Sequence, residues 1–275
     1  MISKYKPYLE SLEDIFKKFN HKDPNKSIKR DTDILESILQ KNNISHCHGI
    51  EHAKTVMYHA WCALEDYELS DEDQMAVLLA ALLHDADDRK FFKEHKNYEN
   101  LRNILQQTGK SSEFIEKVVY MVSIVSSSKW GDTIPEEVIG KEWMLIPRYA
   151  DRIEAIGIIG VERCYTYTKN VSKQPLYLKD TPKPKTEEEI WKIATIERYK
   201  AYNGNSVSMI DHYYDKLLRL STFPIRNKYF DEECKNRRKP LIDFLLYFGK
   251  KGTITYEEVE EFIRKHSAPI SISDE

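Results

Sequence analysis

The chain has 275 residues, 32% of them charged, and its 45 acidic residues against 42 basic ones leave a net charge of -3. Neither sign dominates enough to draw nucleic acid or an anionic membrane through bulk electrostatics, and the length suffices for a sizeable core within one main domain. The four cysteines (Cys47, Cys62, Cys164, Cys234) are scattered without a CxxC pair, which suits a reducing compartment.

Apolar residues recur at helical spacing and strand signatures are sparse, so the expected fold class is all-α. The opening residues MISKYKPYLE lack an apolar signal core, and a soluble, cytoplasmic protein is expected. An accessory helix is expected near 7–20, followed by a polar, basic connection over 21–30 (HKDPNKSIKR). Further helices are expected near 31–42, 49–67, 71–86, 92–108, 111–126, 141–157 and 158–169, with Ser70 as N-cap before DEDQ. The stretch 170–186 holds three prolines and reads as a loop, either over a site or mobile. Two long helices are expected near 187–221 and 228–249, and the tail after Gly252 reads as an appended charged helix (YEEVEEFIRKH). This divides the chain into an N-terminal helix and linker over 1–30, a main domain over 31–250 and an extension over 251–275. There is no internal repeat, Gly-rich phosphate loop or G-x-S-x-G elbow, so the chemistry falls to histidines and aspartates.

The run Met75–Leu83 (MAVLLAALL) ends directly in His84-Asp85. A helix apolar all round belongs in an interior, where an imidazole and a carboxylate cost several kcal/mol unless a metal or a partner compensates. Upstream, His48 and His52 are four apart and share one face of a helix. Downstream of the doublet lie Asp87, Asp88 and Lys90, and Asp151 sits in RYADRIEAIGIIGVERCY. Imidazoles with carboxylates make a mixed N/O shell suited to Mn, Fe, Zn or Mg-type ions. The natural task of such an ion is to activate water and polarise a phosphoryl oxygen, with Lys90 as the cation that neutralises phosphate charge.

The ordered blocks His52, HD-x-D-D-x-K (His84 to Lys90), SSSKWGD (Ser126 to Asp132), ADRIEAIGIIGVER (Ala150 to Arg163) and HYYDKLLRL (His212 to Leu220) resemble the HD-domain superfamily of metal-dependent phosphohydrolases, in its stand-alone bacterial-type branch. The resemblance spans roughly residues 31 to 250. It implies a helical HD-domain bundle with accessory terminal helices, and one divalent metal ion (Mn, Mg, Fe, Co, Ni or Zn) held by His52, His84, Asp85 and Asp151. It also implies water attack on a phosphate ester or anhydride. Members similar to this branch hydrolyse nucleotides, including nucleoside triphosphates cleaved to monophosphate and pyrophosphate. The expected partner is a small-molecule phosphate ester or nucleotide, with no nucleic acid and no membrane, and self-association is left open. Alternatives are a phosphodiesterase or phosphomonoesterase on the same metal, or a weakly active nucleotide sensor.

Around that shell, Asp88 is a candidate general acid or an anchor for Lys90. His48, Lys129, Arg152, His212 and Lys216 are candidate substrate contacts, each with a structural alternative, and Glu154 would orient a ligand or Arg152. One departure stands out: where the family carries an arginine three residues after the first ligand histidine, this chain has Thr55, with Lys54 beside it. Lysine does not reproduce guanidinium geometry.

Overall fold

The computed structural model describes residues 6–19, 27–44 and 49–267, and no strand occurs among them. They fall into two compact units: residues up to Asp151 together with Asn227–Tyr229, and Arg152–Arg226 together with the chain from Phe230 onward.

The first unit opens with α1 (Lys6–Lys18), whose Leu12 and Ile15 are buried, and α1 packs on α3 (Ile50–Ala63). The Phe19 ring meets Trp61 edge-on at 6.3 Å. Between them α2 (Ile28–Lys41) starts at Ser27, whose hydroxyl accepts the Arg30 N–H, as an N-cap should. It therefore begins three residues earlier than expected. Helix α4 (Asp71–Leu82) starts at the expected Ser70 cap and is buried without interruption from Ala76 to Leu82, between α3 and α6 (Ser112–Ser123). Burying each Leu or Val of this run contributes ~1.5–3 kcal/mol, which makes α4 the central strut.

Helix α4 was expected to reach 86 but stops at Leu82, because the next residues turn to aim polar side chains inward. Similarly, α5 covers only Glu99–Gln107 of the expected 92–108; the chain enters it through Tyr98, a non-glycine residue at φ 58°. The short α7 (Ser127–Trp130) precedes α8 (Ile146–Ile153), narrower than the expected 141–157 because a 3-10 turn over Glu142–Leu145 leads into it. Arg148 in α8 is buried, donating to Ile124 O at 2.7 Å and Thr133 O at 2.8 Å. It thereby fastens the 124–133 segment to the helix that carries Asp151.

Two polar clamps complete this unit. Asp31 is wholly buried, accepting from the Thr108 hydroxyl at 2.6 Å with the Lys110 ammonium 3.8 Å away, and burial pushes its carboxyl up to about 6. The segment Asn227–Tyr229 ties down the C-terminal half of α3: Asn227 donates to Ala63 O at 2.8 Å and the Tyr229 hydroxyl meets His59 Nδ1 at 2.6 Å.

In the second unit, α9 (Gly157–Tyr167) runs into a π-helical turn over Thr168–Ser172. Its first residue must be glycine: φ is 78°, and a Cβ there would lie 3.2 Å from Arg237 Cβ. The expected single helix over 187–221 is broken into α10 (Glu187–Ile193), α11 (Ile196–Ala201), α12 (Met209–His212) and α13 (Leu218–Leu220), with a π-helical turn joining the last two. The breaks have local causes. Thr195 and Ser208 each accept a main-chain N–H as N-caps, from Arg198 and Asp211, and Gly204 adopts φ 102°. Helix α14 spans Lys228–Lys251 and α15 spans Tyr256–Ser267.

The core of this unit gathers Val161, Ile190, Tyr213, Tyr214, Phe244 and Phe248. The 173–186 segment is fastened to it. Thr181 donates to Asp211 at 3.0 Å, Tyr214 to Pro182 O at 3.1 Å and Lys185 to Gly249 O. Gly249 leaves room for the Pro184 carbonyl where any Cβ would collide. The charged tail also packs: Val259 of α15 is buried, Lys169 pairs with Glu260 at 2.7 Å and Phe262 meets Phe244 at 5.0 Å.

Candidate metal centre

Three helices of the first unit deliver the centre. His52 lies in the first turns of α3, His84 and Asp85 just past the C-terminus of α4, and Asp151 in α8. The carbonyls at the end of α4 have no partner further along the helix, so this end carries partial negative charge and favours a cation. His84 satisfies one of them: its Nδ1 lies 2.8 Å from Ala81 O. A carbonyl only accepts, so Nδ1 carries a proton, and in the neutral ring the lone pair is on Nε2.

That lone pair decides the character of the site. Nε2 is buried and makes no hydrogen bond among the described residues, although Asp85 Oδ2 and Asp151 Oδ1 each stand 3.5 Å from it. His52 Nε2 is also 3.5 Å from Asp151 Oδ1, and the two imidazoles are crossed with centroids 5.2 Å apart. Donor atoms of His52, His84 and Asp151 lie within 4.8 Å of one another. Ligands about 2.1 Å from a common ion stand about 3.0–3.4 Å apart, so the two 3.5 Å pairs need only a few tenths of an ångström of adjustment to share a divalent ion.

The electrostatics point the same way. Burial opposes a charge on His84, but the Asp85 and Asp151 carboxylates outweigh it and raise its proton affinity well above that of an ordinary imidazole. Burial likewise works against ionised Asp151, yet His52 and His84 hold its carboxyl below the usual range. A cluster that attracts positive charge this strongly, and offers an imidazole lone pair to it, suits a cation.

The other sequence candidates are placed as follows. Asp88 accepts the Lys90 N–H at 2.9 Å, and the Lys90 ammonium lies 3.6 Å from its other oxygen with the lysine side chain 69% exposed. Lys129 is exposed, its ammonium 5.2 Å from the centroid of the Trp130 ring. Thr55 donates back to Glu51 O at 2.8 Å and Lys54 pairs with Glu51 at 3.1 Å, so neither reproduces the missing arginine. His48 lies outside the described residues.

Arg152, His212 and Lys216 belong to the second unit. Arg152 is buried with its guanidinium over the Phe223 ring. His212, 3.3 Å from the Ser206 hydroxyl, is pushed down to about 4 by burial and by the Lys216 charge, and the Lys216 ammonium sits over Tyr202. Glu154 pairs with Arg237 at 2.8 Å. Sequence reasoning missed that arginine because it lies 83 residues away. It also gave Asp87 no role, although the Asp87 carboxylate meets the Asn100 and Leu101 N–H groups and the His95 ring.

No family model matches the chain. Uncharacterized protein L803 of Acanthamoeba polyphaga mimivirus is 40% identical over 231 residues, 78% of this chain and 93% of that protein. Among solved structures, an HD-superfamily hydrolase from Bacillus thuringiensis superposes with a TM-score of 0.57 at 19% identity, covering 83% of this chain and 97% of that one. A Lactobacillus plantarum protein gives 0.57 at 21% identity, covering 82% and 98%. A Listeria innocua protein gives 0.52 at 21% identity over the same shares. No described helix is long and apolar enough to cross a membrane. The chain belongs to one family with the mimivirus protein, and its all-helical fold is that of the HD-superfamily hydrolases.

Proposed function

We propose that the protein is a metal-dependent phosphohydrolase acting on a nucleotide, with His52, His84, Asp85 and Asp151 holding one divalent ion. The observation that carries this reading is the buried Nε2 of His84, which holds the lone pair of the neutral ring because Nδ1 bonds to Ala81 O, and which faces two carboxylates. The HD-superfamily fold supports the same reading. An ion bound there would polarise a phosphoryl oxygen and lower the pKa of water toward neutrality.

The chain's own groups supply the rest. His52 and His84 enter as neutral imidazoles, and Asp85 and Asp151 balance the charge of the ion. Asp88, braced by the main chain of Lys90, is the carboxyl we assign to move a proton to or from the leaving oxygen. The exposed Lys90 ammonium offers a counter-charge to phosphate. His48, Lys129, Arg152, His212 and Lys216 remain candidates for contacting the substrate.

The test is a screen of metal-stripped protein resupplied with Mn, Mg, Fe, Co, Ni or Zn against nucleoside mono-, di- and triphosphates, with Asp85→Ala alongside. Metal-requiring release of pyrophosphate identifies triphosphate cleavage to the monophosphate; inorganic phosphate or an opened diester identifies the monoesterase or diesterase. The Thr55 substitution favours a second reading, a nucleotide sensor with weak turnover. Tight nucleotide binding without products in every metal would establish that one instead.

A further inference from the structure

Helix α5 begins without a cap of its own. Its entry residue, Tyr98, is left-handed and its side chain does not cap the helix, although the first N–H groups of a helix need acceptors. Those groups are met from thirteen and fourteen residues away by Asp87: Asn100 N–H donates to Oδ1 at 2.8 Å and Leu101 N–H to Oδ2 at 3.0 Å. His95 Nδ1 adds a third contact to Oδ1 at 2.5 Å, its ring stacked on Phe92. The carboxylate also sits at the positive end of the α5 dipole.

The attachment is reciprocal. The Asn100 side-chain amide donates to Ala86 O at 2.7 Å. Ala86 and Asp87 are thus both tied to the start of α5, while Ala86 N–H bonds to Leu83 O and Asp88 N–H to Asp85 O within the turn itself. The donors of Asp87, His95 and Glu99 are close enough together to suggest a second ion site. However, both Asp87 oxygens already accept main-chain N–H groups, and Glu99 accepts the Lys96 and Asn97 N–H groups at 3.1 Å each. The cluster is a brace.

We infer that Asp87 and Asn100 are positioning residues that hold the His84–Asp88 turn in its ion-binding shape before any ion arrives. The inference rests on the reading of His84 and Asp85 as metal ligands. The turn leaves α4 with no helix to shape it, so its geometry rests on its own two main-chain bonds and on the ties to α5. Loss of such supporting contacts typically weakens metal affinity roughly 10–100-fold.

The test compares wild type with Asn100→Asp, which is isosteric but loses the donor to Ala86 O, and with Asp87→Asn, which turns a donor toward a donor. Glu99→Gln serves as a control that loosens the same loop without touching the turn. Two readouts are taken on metal-stripped, folded protein: hydrogen exchange of the Ala86–Asp88 amides, and Mn²⁺ affinity by direct titration. Faster exchange and a roughly 10–100-fold loss of affinity in both turn variants, with the control close to wild type, is the expected result. Wild-type exchange and affinity in both variants, or an equal loss in Glu99→Gln, would overturn it. Failure of the wild type to bind Mn²⁺ would instead remove the metal-centre reading, while unchanged exchange in the variants would still overturn the brace.

Discussion

Asp31 provides a test of the energetics that needs no knowledge of substrate. Its carboxyl is wholly buried between Thr108 and Lys110, and burial pushes it from 3.8 up to about 6 in the folded chain. The native state therefore holds this proton more tightly than the unfolded state does. Stability associated with the group is greatest below pH 3.8 and falls as pH rises toward about 6. The full loss is ~3 kcal/mol, of which ~2 kcal/mol falls between about pH 4.5 and about pH 7.5. Asp31→Asn keeps an acceptor for the Thr108 hydroxyl and removes the titration. The stability of the variant minus that of wild type should accordingly rise by ~2 kcal/mol across that interval, whatever constant offset the loss of the Lys110 pair introduces. Urea unfolding of both proteins in chelator, at several pH values, measures the difference while cancelling the titration of the metal cluster. Parallel stability curves would refute the reasoning.

Other expectations follow from packing and buried polar contacts. Gly249→Ala should lower stability by ~1–3 kcal/mol or more, because its Cβ must displace the Pro184 carbonyl; thermal unfolding measures this. Arg148→Met leaves the Ile124 and Thr133 carbonyls without their donor and should cost on the order of 3 kcal/mol, read by urea unfolding. Asp85→Ala should abolish metal-dependent turnover while retaining the helical circular dichroism spectrum, since Asp85 lies beyond the end of α4.

The parts of this molecule legible in the sequence are those whose cause is local. The run Ala76–Leu82 is buried on every side of α4 and contains no polar residue to mislead the eye. The doublet that ends it was conspicuous because polarity arrived so abruptly. Ser70 was read correctly as a cap because acidic residues follow it at once. The same logic failed at Thr195 and Ser208, where capping residues sit inside a periodic stretch and look like helix interior. It failed at Tyr98 too, because a left-handed aromatic residue has no local signature. Partners supplied from afar were invisible: Arg237 for Glu154, and the first turn of α5 for Asp87. His52, His84 and Asp151 come together only through the packing of α3, α4 and α8; the resemblance, not the spacing, associated them in advance.

The most direct test of the central claim is a calorimetric titration of Mn²⁺ into metal-stripped wild type and His84→Ala at neutral pH. One ion per chain bound by wild type, with binding lost in the variant, is the result expected from a buried imidazole nitrogen that stands 3.5 Å from two carboxylates. Binding of equal affinity in both proteins, or none in either, would contradict it.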